Sequence, residues 1–150
     1  MQHQPLDSDF EARIRSSFAR QAFMTTLGAE LFEIEPGRVG IELPFRLDLT
    51  QQHGFMHAGA LAAVADSACG YAALSLMPTG AAVLSVEFKI NLMQPAAGPR
   101  FRALGKVLRA GRMLTVCTGE VHACHDDRQV VIAVMQATLM TIQERSGMAD

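Results

Sequence analysis

At 150 residues, 49% of them hydrophobic and 19% charged, the chain has the size of one globular domain able to bury roughly 68–70% of its unfolded surface. A formal net charge of −2, one tyrosine and no tryptophan supply neither the basic footprint nor the stacking aromatics of a nucleic-acid-binding protein. Three cysteines, an odd number, with no signal-peptide pattern at the start, read as a reduced cytoplasmic chain rather than a disulfide scaffold. The apolar share is high for a lone monomer, so a buried subunit interface is expected.

A polar leader over 1–8 precedes a helix. Phe10, Ile14, Phe18 and Ala22 recur every four residues opposite Glu11, Arg15 and Arg20, the period of an amphipathic helix capped by Ser8 or Asp9 and ending before Gly28. Leu31 to Glu35 alternates, Pro36-Gly37 signals a turn, and Val39 to Phe45 resumes: a hairpin. Arg46 to Met56 holds no period and reads as a loop feeding the next element.

That element, HAGALAAVADSACGYAALSLM from His57 to Met77, is the expected axis of the domain. It spans about six helical turns, ~30 Å, apolar on all sides and therefore expected to be buried on all sides. Asp66 is the one ionisable side chain inside it. A carboxylate there is costly unless paired, solvated in a cleft or used. A membrane span is disfavoured, because the stretch is alanine-rich and a central Asp penalises insertion by ~2.5–3.5 kcal/mol. The bland alternative is a core helix whose Asp only caps or bridges.

Pro78-Thr79-Gly80 ends the helix. Leu84, Val86, Phe88, Ile90 and Leu92 then alternate with Ser85, Glu87, Lys89 and Asn91, predicting a strand with its apolar side on the core. Arg100 to Arg109, Arg112 to Cys124 and Arg128 to Ile142 follow as strands, the last apolar on both faces and so central. These four are expected to form a meander, and the tail over 143–150 to fray. His122, Cys124 and His125 have the look of metal ligands, but alternation points His125 away from the other two, so no metal site is expected. The fold class predicted is α+β, a long antiparallel sheet of about six strands curled around one central helix, in a single domain.

The residues at the start of that helix resemble the hot-dog fold acyl-CoA thioesterases, in particular the phenylacetate-pathway (PaaI-like) branch. The branch pattern is an Asn, a Gly three residues on, then HGG and an Asp nine residues past the His. The chain reads Gln51, Gly54, His57-Ala58-Gly59 and Asp66. SVEFKINLMQPA from Ser85 and LRAGR from Leu108 are similar to the branch's later segments. Gln51 replaces the usual Asn and Ala58 a usual Gly, although Ala58 keeps its backbone N–H.

The resemblance implies a thioesterase acting on acyl-CoA, with no metal or redox cofactor and coenzyme A as part of the substrate. The implied oligomer is a homodimer or a tetramer built from two dimers, with sites at subunit interfaces. Asp66 would be general base or nucleophile, and the Ala58 amide at the helix start, with Gly59 beside it, the oxyanion donor. Gln51 would reach the thioester or the water, His57 would organise the loop, and Ser85 would position water, although strict alternation turns Ser85 away from the core. Lys89, Arg109 and Arg112 are candidates for the coenzyme A phosphates, and Tyr71 and Leu74 for the acyl pocket. His53 is the weaker of the loop histidines. Ala58 and Asp66 lie eight residues apart (58 to 66), ~12 Å along one helix, so a shared carbonyl requires two antiparallel helices across a two-fold. The alternatives are an acyl-CoA-binding domain without turnover and a hydratase of the same fold, the latter lacking its loop Asp/His pair.

Overall fold

The computed structural model describes residues 3–143. In chain order the elements are α1 (Phe10–Arg20), α2 (Ala22–Leu27), β1 (Glu30–Glu35), β2 (Arg38–Pro44), a 3-10 turn at Leu47–Leu49, α3 (Ala58–Leu74), β3 (Ala82–Leu92), β4 (Arg100–Ala110), β5 (Leu114–Cys124) and β6 (Gln129–Ile142). The strands form one six-stranded sheet ordered β1-β2-β4-β5-β6-β3, antiparallel throughout. Its inner face wraps α3, which packs against β2, β3, β4, β5 and β6.

The wrap works because helix and sheet approach more closely than ordinary side chains permit. Gly105 of β4 and Gly119 of β5 are register partners lying directly beneath α3. A β-carbon on Gly105 would stand 2.3 Å from the carbonyl of Ala68, and one on Gly119 would stand 3.1 Å from Cys69 Sγ. The helix answers with Ala65, Ala68, Cys69 and Ala72, all fully buried. Alanine in the helix and glycine in the strands are two halves of one packing solution.

The far end of α3 is tied to α1. Arg13, on α1, donates to the carbonyls of Leu74 (2.8 Å), Met77 (3.0 Å) and Pro78 (2.8 Å), satisfying acceptors that a helix C-terminus leaves open. Asp7 pairs with the same guanidinium at 3.2 Å and also accepts the Asp9 N–H at 3.0 Å. This loop contact replaces the expected cap, since Asp9 occupies the N-cap position without a side-chain bond.

Several expectations are corrected. α3 is 17 residues long, Ala58–Leu74, and the chain turns at Ser75 to Met77 before Pro78. It is not buried on all sides: Gly59 is exposed, and Ala58, Ala62, Ala63, Asp66 and Ser67 are half-buried along its first turns. The N-terminal helix is two helices, broken at Gln21, whose ψ of 91° leaves the helical region. β4, β5 and β6 form a meander, but β3 pairs with β6 at the opposite edge, because the β1–β2 hairpin takes the free side of β4. β6, predicted central, is an interior strand. The tail assigned to 143–150 lies, Gln143 apart, outside the described residues.

The side assignment of β3 also changes. Ser85 faces Leu139 and Glu87 faces Thr138, so Val86 is an extra residue forming a bulge. Register pairing places Ser85, Phe88, Ile90 and Leu92 on the inner side with Leu139, Ala137, Met135 and Ala133, whereas Leu84 joins Met140 outside. Leu84, Val86, Phe88 and Leu92 are nevertheless 43–54% exposed, since among the described residues no strand lies beyond β3.

Gly105→Ala should destabilise the domain by about 3 kcal/mol or more, because the clash is with backbone rather than a flexible side chain. Urea denaturation checks this, and an unchanged midpoint would show that helix and sheet can separate freely.

Candidate active site

The loop before α3 is folded tightly on itself. Thr50 bridges to Met56, Gln51 N–H donates to the Phe55 carbonyl at 2.9 Å, and Gly54 N–H returns to the Gln51 carbonyl at 3.0 Å. Gly54 takes φ 83°, a conformation that favours glycine. The Gln51 side-chain oxygen accepts the His53 N–H, so half of this amide is committed to the loop, and its NH2 group has no partner among the described residues. His53 is exposed, and its ring nitrogen meets the Gln52 side-chain amide at 3.4 Å.

His57 is the N-cap of α3. Its backbone is extended (φ −65°, ψ 136°), and Nδ1 accepts the Gly59 N–H at 2.8 Å. With Nδ1 accepting, the ring N–H lies on Nε2. The Ala60 and Leu61 amides turn back to the His57 carbonyl. Gly59 is thus occupied by the histidine, whereas the Ala58 N–H points out of the first turn with no partner among the described residues. It sits at the positive end of a 17-residue helix, suited to a developing anion.

Asp66 lies two turns on. Ser85 Oγ donates to Asp66 Oδ1 at 2.7 Å. The β-bulge at Val86 makes this pairing compatible with an apolar inner face, and it resolves the alternation that had turned Ser85 outward. One carboxylate oxygen is held by the serine, and the other remains open to a water.

Around this pair, α1 and α2 furnish residues that sequence reasoning did not single out. Gln21 Oε1 accepts from Ser67 Oγ at 3.3 Å, because the break between the helices presents Gln21 to α3. Tyr71, nearly buried, meets Ser17 at 3.4 Å through its hydroxyl and stacks edge-on with Phe18 at 5.9 Å. Leu74 is fully buried. Gly70, one turn past Asp66, is buried, yet a side chain there would meet nothing within 4 Å. The available signal for this space was a glycine within an otherwise strong helix former, four residues after the carboxylate.

The structure brings Asp66 and Ser85 together and sets Tyr71 and Leu74 further along the same helix. Within one chain it does not bring Ala58, Gly59, Gln51 or His57 to Asp66. Lys89 pairs in register with Gln136 on the outer face and donates to Asn91 at 2.6 Å. Arg109, opposite Val116, and Arg112, in the β4–β5 turn, are exposed and have no ionic partner among the described residues. There, too, no group of three His, Cys, Asp or Glu side chains could hold a metal ion, and no helix is long and apolar enough to cross a membrane.

Beneath Asp66, burial pushes the Cys117 thiol up to about 12; burial raises Cys69 as well, reinforced by Cys117 and Asp66. The unfolded thiols ionise near 9.0 while the folded ones stay protonated. This contribution to stability is therefore complete below pH 9 and lost as pH rises toward 12. Denaturation midpoints measured across that window should fall, and fall less in Cys117→Ala. His57→Ala should cost about 1 kcal/mol through loss of the cap, with His57→Asn recovering most of it in the same unfolding assay.

Residues 53–137 match the thioesterase superfamily. A thioesterase family protein from Silicibacter pomeroyi, known from a crystal structure, is 50% identical, superposes with a TM-score of 0.88, and is matched over 90% of this chain and 99% of that one. The E. coli PaaI protein from the phenylacetic acid degradation operon shares the fold (TM-score 0.81, 21% identity, 96% of this chain and 98% of that one). A Saccharolobus solfataricus protein bearing an esterase name is 32% identical over 90 residues, which cover 60% of this chain and 64%, just under two thirds, of that relative's length. With a six-stranded antiparallel sheet around one long helix and this match, the chain belongs to the thioesterase superfamily and has the hot-dog fold.

Proposed function

We propose that the protein hydrolyses an acyl-CoA thioester, with a medium-chain or aryl-acetyl group on the acyl side. The observation that carries this reading is the Ser85–Asp66 contact at 2.7 Å, on the same helix whose first amide, at Ala58, is left free. Asp66 acts as general base toward water, or as nucleophile, while Ser85 holds one carboxylate oxygen and orients the other. The Ala58 N–H stabilises the oxyanion that forms on the carbonyl. The buried space beside Gly70 and the Phe18–Tyr71 aromatic pair suit an apolar or aromatic acyl group. Arg109, exposed and without an ionic partner among the described residues, is a candidate for the coenzyme A phosphates.

The two catalytic groups must come from different subunits. They are ~12 Å apart on one helix, and the open side of α3 adjoins the apolar, unpaired edge of β3. An edge strand of 11 residues with exposed Leu84, Val86, Phe88 and Leu92 is a surface that a second copy would cover. Antiparallel packing of two α3 helices then sets Ala58 of one subunit against Asp66 of the other, giving two equal sites.

Asp66→Asn should lower coenzyme A release by ~10²- to 10⁴-fold, with the fold and the dimer retained on gel filtration. Ala58→Pro deletes only the free N–H at a position where proline suits a helix, and it too should be inactive. Unfolding and refolding the two variants together should restore about one quarter of wild-type activity, since half the dimers are mixed and each holds one intact site. No restoration, or a monomer on gel filtration, would overturn the shared site. Acyl-CoA binding without turnover by the wild type would replace hydrolysis with the non-catalytic reading.

A further inference from the structure

At the end of α3 remote from Ala58, a cavity of about 150 Å³ opens between the helix terminus and the sheet. Ala73, Leu76 and Met77 form its apolar wall, and Arg112, Thr115 and Thr141 face them from the β4–β5 turn and the inner side of the sheet. Ala73 is seven residues beyond Asp66 (66 to 73), ~10 Å along the helix, and neither Asp66 nor Ser85 lines this space.

Its polar wall is unusual. Thr115 is 2% and Thr141 4% exposed, yet neither hydroxyl has a hydrogen-bond partner among the described residues. Buried hydroxyls are normally satisfied. Both threonines line the cavity. Arg112, exposed at the rim, likewise lacks an ionic or hydrogen-bonding partner among the described residues. Two hydroxyl donors and a guanidinium on one side suit a carboxylate, which only accepts and offers two oxygens. The apolar helix end opposite suits a compact hydrocarbon body, and a cavity of ~150 Å³ is the size that takes benzene.

We propose that this cavity is a second binding site, separate from the Asp66 cleft, for a small monocarboxylate with an apolar body no larger than benzoate. Arg112 and the two threonine hydroxyls hold the carboxylate, and the turn from Ala73 to Met77 receives the hydrocarbon. The site does not depend on the hydrolytic reading.

Isothermal titration of the full chain with benzoate tests this. Saturable binding of one benzoate per chain is expected. Arg112→Gln, a change at an exposed turn, should weaken it by ~10-fold or more, the scale of one charge-assisted contact. Thr115→Val with Thr141→Val should weaken it further, Asp66→Asn should leave it unchanged, and benzyl alcohol or inorganic phosphate should bind more weakly than benzoate. No saturation would mean that the cavity holds only water and would overturn the proposal. Equal affinity in Arg112→Gln would do the same, as would loss in Asp66→Asn, which would put the ligand in the catalytic cleft. Phosphate binding as tightly as benzoate would reduce the site to one for bare anions.

Discussion

The contact on which the rest of the structure depends is the seating of α3 on Gly105 and Gly119. With a β-carbon position on Gly105 only 2.3 Å from the Ala68 carbonyl, the helix cannot rotate or rise without losing that fit. Since Ala68 and Cys69 are pinned downward, Asp66 and Gly59 are directed toward the open side by the 3.6-residue period. Arg13 closes the far end by binding three carbonyls, and His57 closes the near end through its own ring. The helix is fixed in rotation by glycine and at its termini by polar caps, leaving one free amide and one carboxylate on display.

Much of this was legible in the sequence, because the signals involved are local. The hairpin around Pro36-Gly37, the alternation of the long strands and the apolar run from Ala58 were each set by periodicity within a few residues. Asp66 stood out because a charge within such a run requires a reason. What was not legible is long-range. The placing of β3 at the sheet edge depends on competition for β4 by the β1–β2 hairpin, which no local pattern encodes. The break at Gln21 lies inside an amphipathic repeat that continues through it, so Gln21 and its contact with Ser67 were invisible to a period of four.

Expecting a helix buried on all sides failed for a related reason. Apolar composition predicts burial but does not say in which molecule. Gly59, Ala62, Ala63 and Ser67 are small rather than large, and they stay half-buried or exposed beside the carboxylate. Small residues permit close approach of another backbone. In the proposed dimer that backbone is a second α3, and the same side chains that look unfinished in one chain become the contact surface.

The bulge at Val86 shows how one inserted residue serves chemistry and packing at once. In an unbroken β3, side chains facing inward would be Ser85, Glu87 and Lys89 or else Leu84, Val86, Phe88 and Ile90, never Ser85 together with Phe88. The first choice would bury an acid and an amine against the core, at a cost no nearby partner offsets. The second would turn the serine away from Asp66. Inserting Val86 changes the parity between Ser85 and Glu87, so the serine meets the carboxylate and the strand beyond it still turns Phe88 and Ile90 inward. An alternating pattern read without the bulge therefore misplaces Ser85, the residue closest to the candidate chemistry. Local irregularity in a sheet is where a functional polar group can be reconciled with a hydrophobic face.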